Sequence, residues 1–215
     1  MKKLSFMGFL AICLSQAHAV VCAPPNGAAT CDSLVSISLS KLNRPFSIDM
    51  LLKVRGELMR ISDVYPESWI PYYYQAWLGI QMCLFTGADK DGLMEDCFQQ
   101  IQFAEKQKGV DLSELYALKA YYYYVLIATN SKVNGPKYYN YVFRECEKSL
   151  DINSKNPRAL AILYVFKQQM SSFLQAKTDN NLQELQEIMA IFDKEDKNTI
   201  LPRWGKEILS YVNHK

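Results

Sequence analysis

The chain has 215 residues, 49% of them hydrophobic, with 24 Lys and Arg against 22 Asp and Glu and only 2 His. A balance this close to neutral excludes a nucleic-acid binder, whose affinity comes largely from neutralising phosphates with a basic stripe, and a charge-driven membrane binder on the same ground. With so little histidine, Ser-His-Asp and Cys-His nucleophilic sites and most zinc sites lack their imidazole.

The N-terminus reads as an export signal. Lys2 and Lys3 precede a largely apolar run from Leu4 to Leu14, and Ala17-His18-Ala19 forms an A-x-A cleavage site. The run is about half the ~20 residues a membrane-spanning helix needs, and charge interrupts every later helix, so no transmembrane segment is expected in the mature chain. Cleavage after Ala19 removes Lys2, Lys3 and His18, which leaves 22 basic against 22 acidic residues, with His214 in the tail. Periplasmic or secreted placement follows. Lipid attachment at Cys22 is disfavoured by Val21, which stands where a lipoprotein signal has a small residue. Residues 20–45 form a lead punctuated by Pro24, Pro25, Gly27 and Pro45, and 46–215 form one helical domain.

The lead holds at most a short helix over 34–42. Beyond Ser47 apolar residues recur at helical spacing, as in Met50, Leu51, Val54, Leu58 and Ile61. Helices are expected over 47–64, 68–85, 92–108, 112–129, 137–151, 157–174, 181–193 and 202–213. Their boundaries come from Pro66, from Pro71 early in the second helix, from Asp111 with Glu114 at capping-box spacing, and from Gly135-Pro136 and Asn156-Pro157 as stops followed by starts. Asn180 is a cap candidate and Pro202 opens the last helix. Asp89-Lys90-Asp91-Gly92 reads as a connector. It lacks the bidentate acid of a calcium loop, since Phe98 stands in that position.

Five cysteines follow the signal. Export implies oxidising conditions, and a Cys22–Cys31 disulfide is the candidate bridge, while Cys83, Cys97 and Cys146 read as buried thiols. No C-x-x-C spacing occurs, and no cofactor or metal is expected.

The helices repeat. Trp77-Leu78-Gly79, Lys119-Ala120, Leu163-Tyr164 and Trp204-Gly205 occupy equivalent helix A midpoints, spaced 41, 44 and 41 residues apart, and Ala104, Ser149 and Ala190 occupy equivalent helix B positions. This pattern, and above all Glu147–Ala159, resembles the tetratricopeptide repeat, whose usual period is about 34 residues. The excess is assigned to long turns near 86–91 and 130–136. The resemblance covers about 60–213 and implies an all-α solenoid of three helical hairpins, with 47–64 as a leading half-unit and 202–213 as a capping helix. It departs from the pattern at Gly109, Ser154 and Glu195, where proline usually ends helix B.

In that family the A helices line a concave groove. Carrying the groove positions over gives Tyr73, Ala76 and Ile80, then Glu114, Tyr121 and Tyr124, then Arg158, Val165, Gln168 and Gln169. Tyrosine supplies apolar area and a hydroxyl at low entropic cost; the alternative for any one ring is packing between neighbouring hairpins. Ala76 and Ile80 rule out the family's carboxylate clamp. The expected function is non-catalytic capture of a protein or peptide in the bacterial cell envelope. The alternatives are a carboxylate-based hydrolase of a glycan or cell-wall substrate, which needs two converging acids, and a structural subunit of an envelope complex.

Overall fold

A computed structural model describes residues 29–87, 92–173, 182–196 and 199–212. The export signal, Cys22, most of the 86–91 connector and Asn180 lie outside the described residues. Eight α-helices follow one another there: α1 (Cys31–Leu39), α2 (Ile48–Val64), α3 (Trp69–Thr86), α4 (Leu93–Glu105), α5 (Leu112–Thr129), α6 (Ser131–Ile152), α7 (Pro157–Phe173) and α8 (Leu182–Asp193). A 3-10 helix over Lys206–Tyr211 closes the chain. No strand occurs among the described residues.

The helix starts are built by side-chain caps that satisfy otherwise orphaned backbone donors. Ser47 accepts from the Met50 amide and Asp111 from the Glu114 amide at 3.1 Å. Asn156 accepts from the amides of Arg158 and Ala159 at 3.0 and 3.1 Å, with Pro157 as the first helical residue, where a missing N–H costs nothing. The lead, expected to be irregular outside 34–42, carries α1, which packs on α2.

Two sequence-based expectations differ from the structure. Helix α6 begins at Ser131 and runs through Pro136, where the sequence predicts a break. Asn130 closes α5 and caps α6 at once, donating its amide to Ile127 and accepting from Val133. Proline so near a helix start forfeits a single ladder bond, and Asn130 caps the start by accepting from the Val133 amide at 3.4 Å. The hairpin turn is therefore one residue, and the long spacing of that unit lies in α6 itself, 22 residues long. The expected 202–213 α-helix is instead an irregular stretch over 202–205 followed by the 3-10 turn. Gly205 has φ +109°, where a Cβ would lie 3.0 Å from the Arg158 side chain, and no helical residue adopts that angle.

Each helix packs on its neighbours in sequence, and α5 also contacts both α3 and α7. The α3–α4 crossing is close because Gly79, expected from the sequence as a small helix position, has no side chain. A Cβ there would overlap the Cys97 sulfur. Ser149, an expected small position of helix B, touches α5 directly: its hydroxyl donates to the Ser113 carbonyl at 2.7 Å, and the Ser113 hydroxyl donates back to the Ser149 carbonyl at 3.0 Å.

Candidate functional site

The face made by α3, α5 and α7 gathers most of the residues that the repeat resemblance assigns to a groove. It is covered by the chain's own C-terminal segment. The Trp204 indole is 3% exposed and donates to the Tyr73 hydroxyl at 2.9 Å, while its ring lies 4.9 Å from that of Tyr121. The Tyr74 hydroxyl is within 3.0 and 3.1 Å of the Ile200 and Leu201 carbonyls. Arg158 donates to the Trp204 carbonyl at 3.3 Å. Pro202, Ile208, Leu209 and Val212 complete the cover and are buried.

Tyr73, Ala76, Ile80, Glu114, Tyr121, Arg158 and Val165 are buried rather than open to a partner. Helical spacing puts them on one face, and the C-terminal segment packs on that face at Tyr73, Tyr121 and Arg158. Tyr121 also accepts from Gln81 at 3.1 Å. Burial raises the phenol pKa of Tyr73 and Tyr121 well above the ordinary value. Tyr124, buried as well, stacks on Tyr121, and its hydroxyl accepts from Gln169 at 3.0 Å. Gln168 is half-buried and Gln169 exposed.

Beneath Trp204 lies a buried charge network. Arg158 forks onto Glu114, with Nε to Oε2 at 2.5 Å and Nη2 to Oε1 at 2.9 Å, and reaches Glu195 at 2.6 Å. Asn156 donates to Glu114 Oε1 at 2.9 Å and to the Ser113 hydroxyl at 3.0 Å. Burial pushes the Glu114 carboxyl above the usual range, and Arg158 pulls it back. For Arg158 burial opposes the charge, but Glu114 and Glu195 together outweigh it and keep the guanidinium protonated.

An open, apolar groove lies elsewhere, among α5, α6 and α7. It has a volume of about 440 Å³ and is lined by Ile127 of α5, by Ser131, Lys132, Gly135, Pro136 and Tyr139 of α6, and by Phe166, Gln169 and Met170 of α7. Lys132, Gly135, Pro136 and Tyr139 fall at i, i+3, i+4 and i+7, and Phe166, Gln169 and Met170 at i, i+3 and i+4, so two helices each present one stripe. Of the expected groove residues only Gln169 lines it, with Tyr124 one hydrogen bond behind. The stripe on α6 escapes sequence reading because Gly135-Pro136 looks like a helix break. A helix started at Ser131 shows the spacing at once.

Among the described residues no three His, Cys, Asp or Glu side chains are placed to hold a metal ion. Cys31 is half-buried, and its thiol pKa is raised by burial; the Cys22 half of the candidate disulfide lies outside the described residues. Cys83, Cys97 and Cys146 are buried. No helix among the described residues is long and apolar enough to cross a membrane.

Neither a protein-family model nor a curated protein matches the sequence. The fold is similar to a solved structure, the HusA haemophore from Porphyromonas gingivalis, with a TM-score of 0.70 and 19% sequence identity over 83% of this chain and 90% of that one. At that identity the likeness shows a shared all-helical fold.

Proposed function

We propose that the chain is a non-catalytic carrier of the bacterial envelope or exterior, built as a tetratricopeptide-like solenoid, and that its ligand is a flat, apolar, anionic macrocycle of the haem class. The observation that carries this reading is the α5–α6–α7 groove. Its walls are apolar, as a ring system requires. Two of its lining residues, Tyr139 on α6 and Met170 on α7, bring a phenol and a thioether, both side chains that haem iron accepts as axial ligands. Lys132, also in the lining, offers a cation for propionate groups. The fold shared with a protein named as a haemophore supports the same class. Neighbour-to-neighbour helix packing, with α5 in further contact with α3 and α7, supports the solenoid.

The hydrolase alternative finds less support. Glu114 and Glu195 do converge, but on Arg158, which neutralises both and leaves neither placed as acid or base. Haem titration followed by visible absorbance tests the carrier reading. Saturable 1:1 binding is expected, weakened by at least about 100-fold in a Tyr139→Phe/Met170→Ala double variant, at about tenfold per 1.4 kcal/mol of lost ligation. Binding that is absent, or unchanged in the double variant with helicity intact, overturns it.

A second reading, capture of a protein or peptide on the Tyr-bearing face, is favoured by one observation. That face already holds a stretch of polypeptide outside any α-helix, gripped through its carbonyls and Trp204.

A further inference from the structure

The geometry points to the C-terminal segment as an internal ligand: the α3–α5–α7 face is a peptide-binding site, occupied in cis by residues 199–212, whose preferred occupant is a segment with a tryptophan anchor between main-chain carbonyls. This deepens the second reading above and is independent of the haem groove.

The segment is held by its backbone, by the Trp204 ring, and by the buried side chains of Pro202, Ile208, Leu209 and Val212. Tyr74 and Arg158 reach its carbonyls at Ile200, Leu201 and Trp204. Main-chain recognition joined to one deeply seated aromatic is how proteins grip extended peptides, with the backbone giving affinity and the anchor pocket giving specificity. Trp204 is that anchor. Its nitrogen is satisfied by Tyr73 and its ring is flanked by Tyr121 and, at 6.4 Å, by Trp77. The segment's own helix is a 3-10 turn of six residues, a form with poor internal hydrogen-bond geometry. The face therefore sets its shape more than its own propensity does.

The rim contacts are weak ones. Arg44 pairs with Glu207, and Lys206 with Asp193, between side chains that are at least a quarter exposed, and such pairs contribute little in water. One mismatch is also present. The Trp77 indole nitrogen is buried beside Trp204 and has no acceptor among the described residues. An unpaired buried donor is costly, so a partner segment that brings a carbonyl to Trp77 would outbid the chain's own end.

The test uses the full chain with a specific protease sequence inserted between Asp196 and Thr199, cut after folding. Fluorescent synthetic peptides are then offered: residues 199–212, the same peptide with Trp204→Ala, and a scrambled sequence. The expected result is exchange of the native peptide into a body that stays helical, with the Trp204→Ala peptide at least about 30-fold weaker, as for an interface anchor. Equal uptake of all three peptides would keep the peptide reading and overturn the tryptophan-anchored site. Unfolding of the cut protein, or no exchange at all, would make the segment a permanent part of the core and overturn both.

Discussion

Arg158→Met is the perturbation that the buried charge network makes most informative. The exchange keeps side-chain length and removes the guanidinium, whose side chain is 4% exposed beside a Glu114 side chain at 9%. Glu114 then keeps one donor, Asn156 at 2.9 Å, and Glu195 and the Trp204 carbonyl each lose one. Stranding a buried carboxylate in this way costs about 3–5 kcal/mol. The cost is pH-dependent. Burial already raises the Glu114 carboxyl, and removing Arg158 takes away the main opposing influence, so the folded pKa moves further above the unfolded value of about 4.3. With the folded pKa raised, the group's contribution to stability is fully present below the unfolded pKa and is lost as pH rises through the folded pKa. The deficit of the variant is therefore smallest near pH 4–5 and largest near pH 8, changing by up to about 1.4 kcal/mol per pH unit. Urea denaturation followed by circular dichroism at both ends of that range measures it. An Arg158→Met/Glu114→Leu double variant, which leaves only the part-exposed Glu195 without its cation, should recover most of the loss at pH 8. A loss below about 1 kcal/mol, equal at both pH values, would mean that water reaches the network and the reasoning fails.

Three further outcomes are expected. Gly79→Ala forces a methyl into the space of the Cys97 sulfur and should cost about 1–3 kcal/mol as an overpacked core does, read as a lowered urea midpoint. A Gly79→Ala chain of unchanged stability would show that α3 and α4 do not cross so closely. Gly205→Ala should loosen the C-terminal cover specifically, since φ +109° is strained for any L side chain; faster amide exchange over 206–212 than over α5 checks this, and uniform exchange contradicts it. The buried phenols of Tyr73, Tyr74 and Tyr121 have raised pKa values, burial being the main cause in each. Their contribution to stability is present below the unfolded tyrosine pKa of about 10 and lost above it, so ultraviolet titration should show them ionising only together with unfolding. Reversible ionisation of all tyrosines in folded protein would contradict their burial.

The helix starts are legible in the sequence because capping is local chemistry. Ser47, Asp111 and Asn156-Pro157 each advertise a cap within four residues of sequence, and each start falls within one residue of its expected place. Gly135-Pro136 misleads because proline breaks helix interiors, whereas here it stands near a helix start that Asn130 caps. The false break hides the α6 stripe and with it the open groove. The Tyr-bearing face is legible as a face, since periodicity reports which residues lie together. What covers it is not, because Tyr73 and Trp204 meet across 131 residues, and no local pattern encodes a contact at that range.

The carrier account is tested most directly by mapping a bound porphyrin onto the protein. Amide and methyl chemical shifts recorded during titration with an iron-free porphyrin should move at Ile127, Lys132, Tyr139, Phe166 and Met170, the walls of the groove, while Trp204 and Tyr73 stay in place. Shifts confined to the α3–α5–α7 face, or no shifts at saturating ligand, would contradict it.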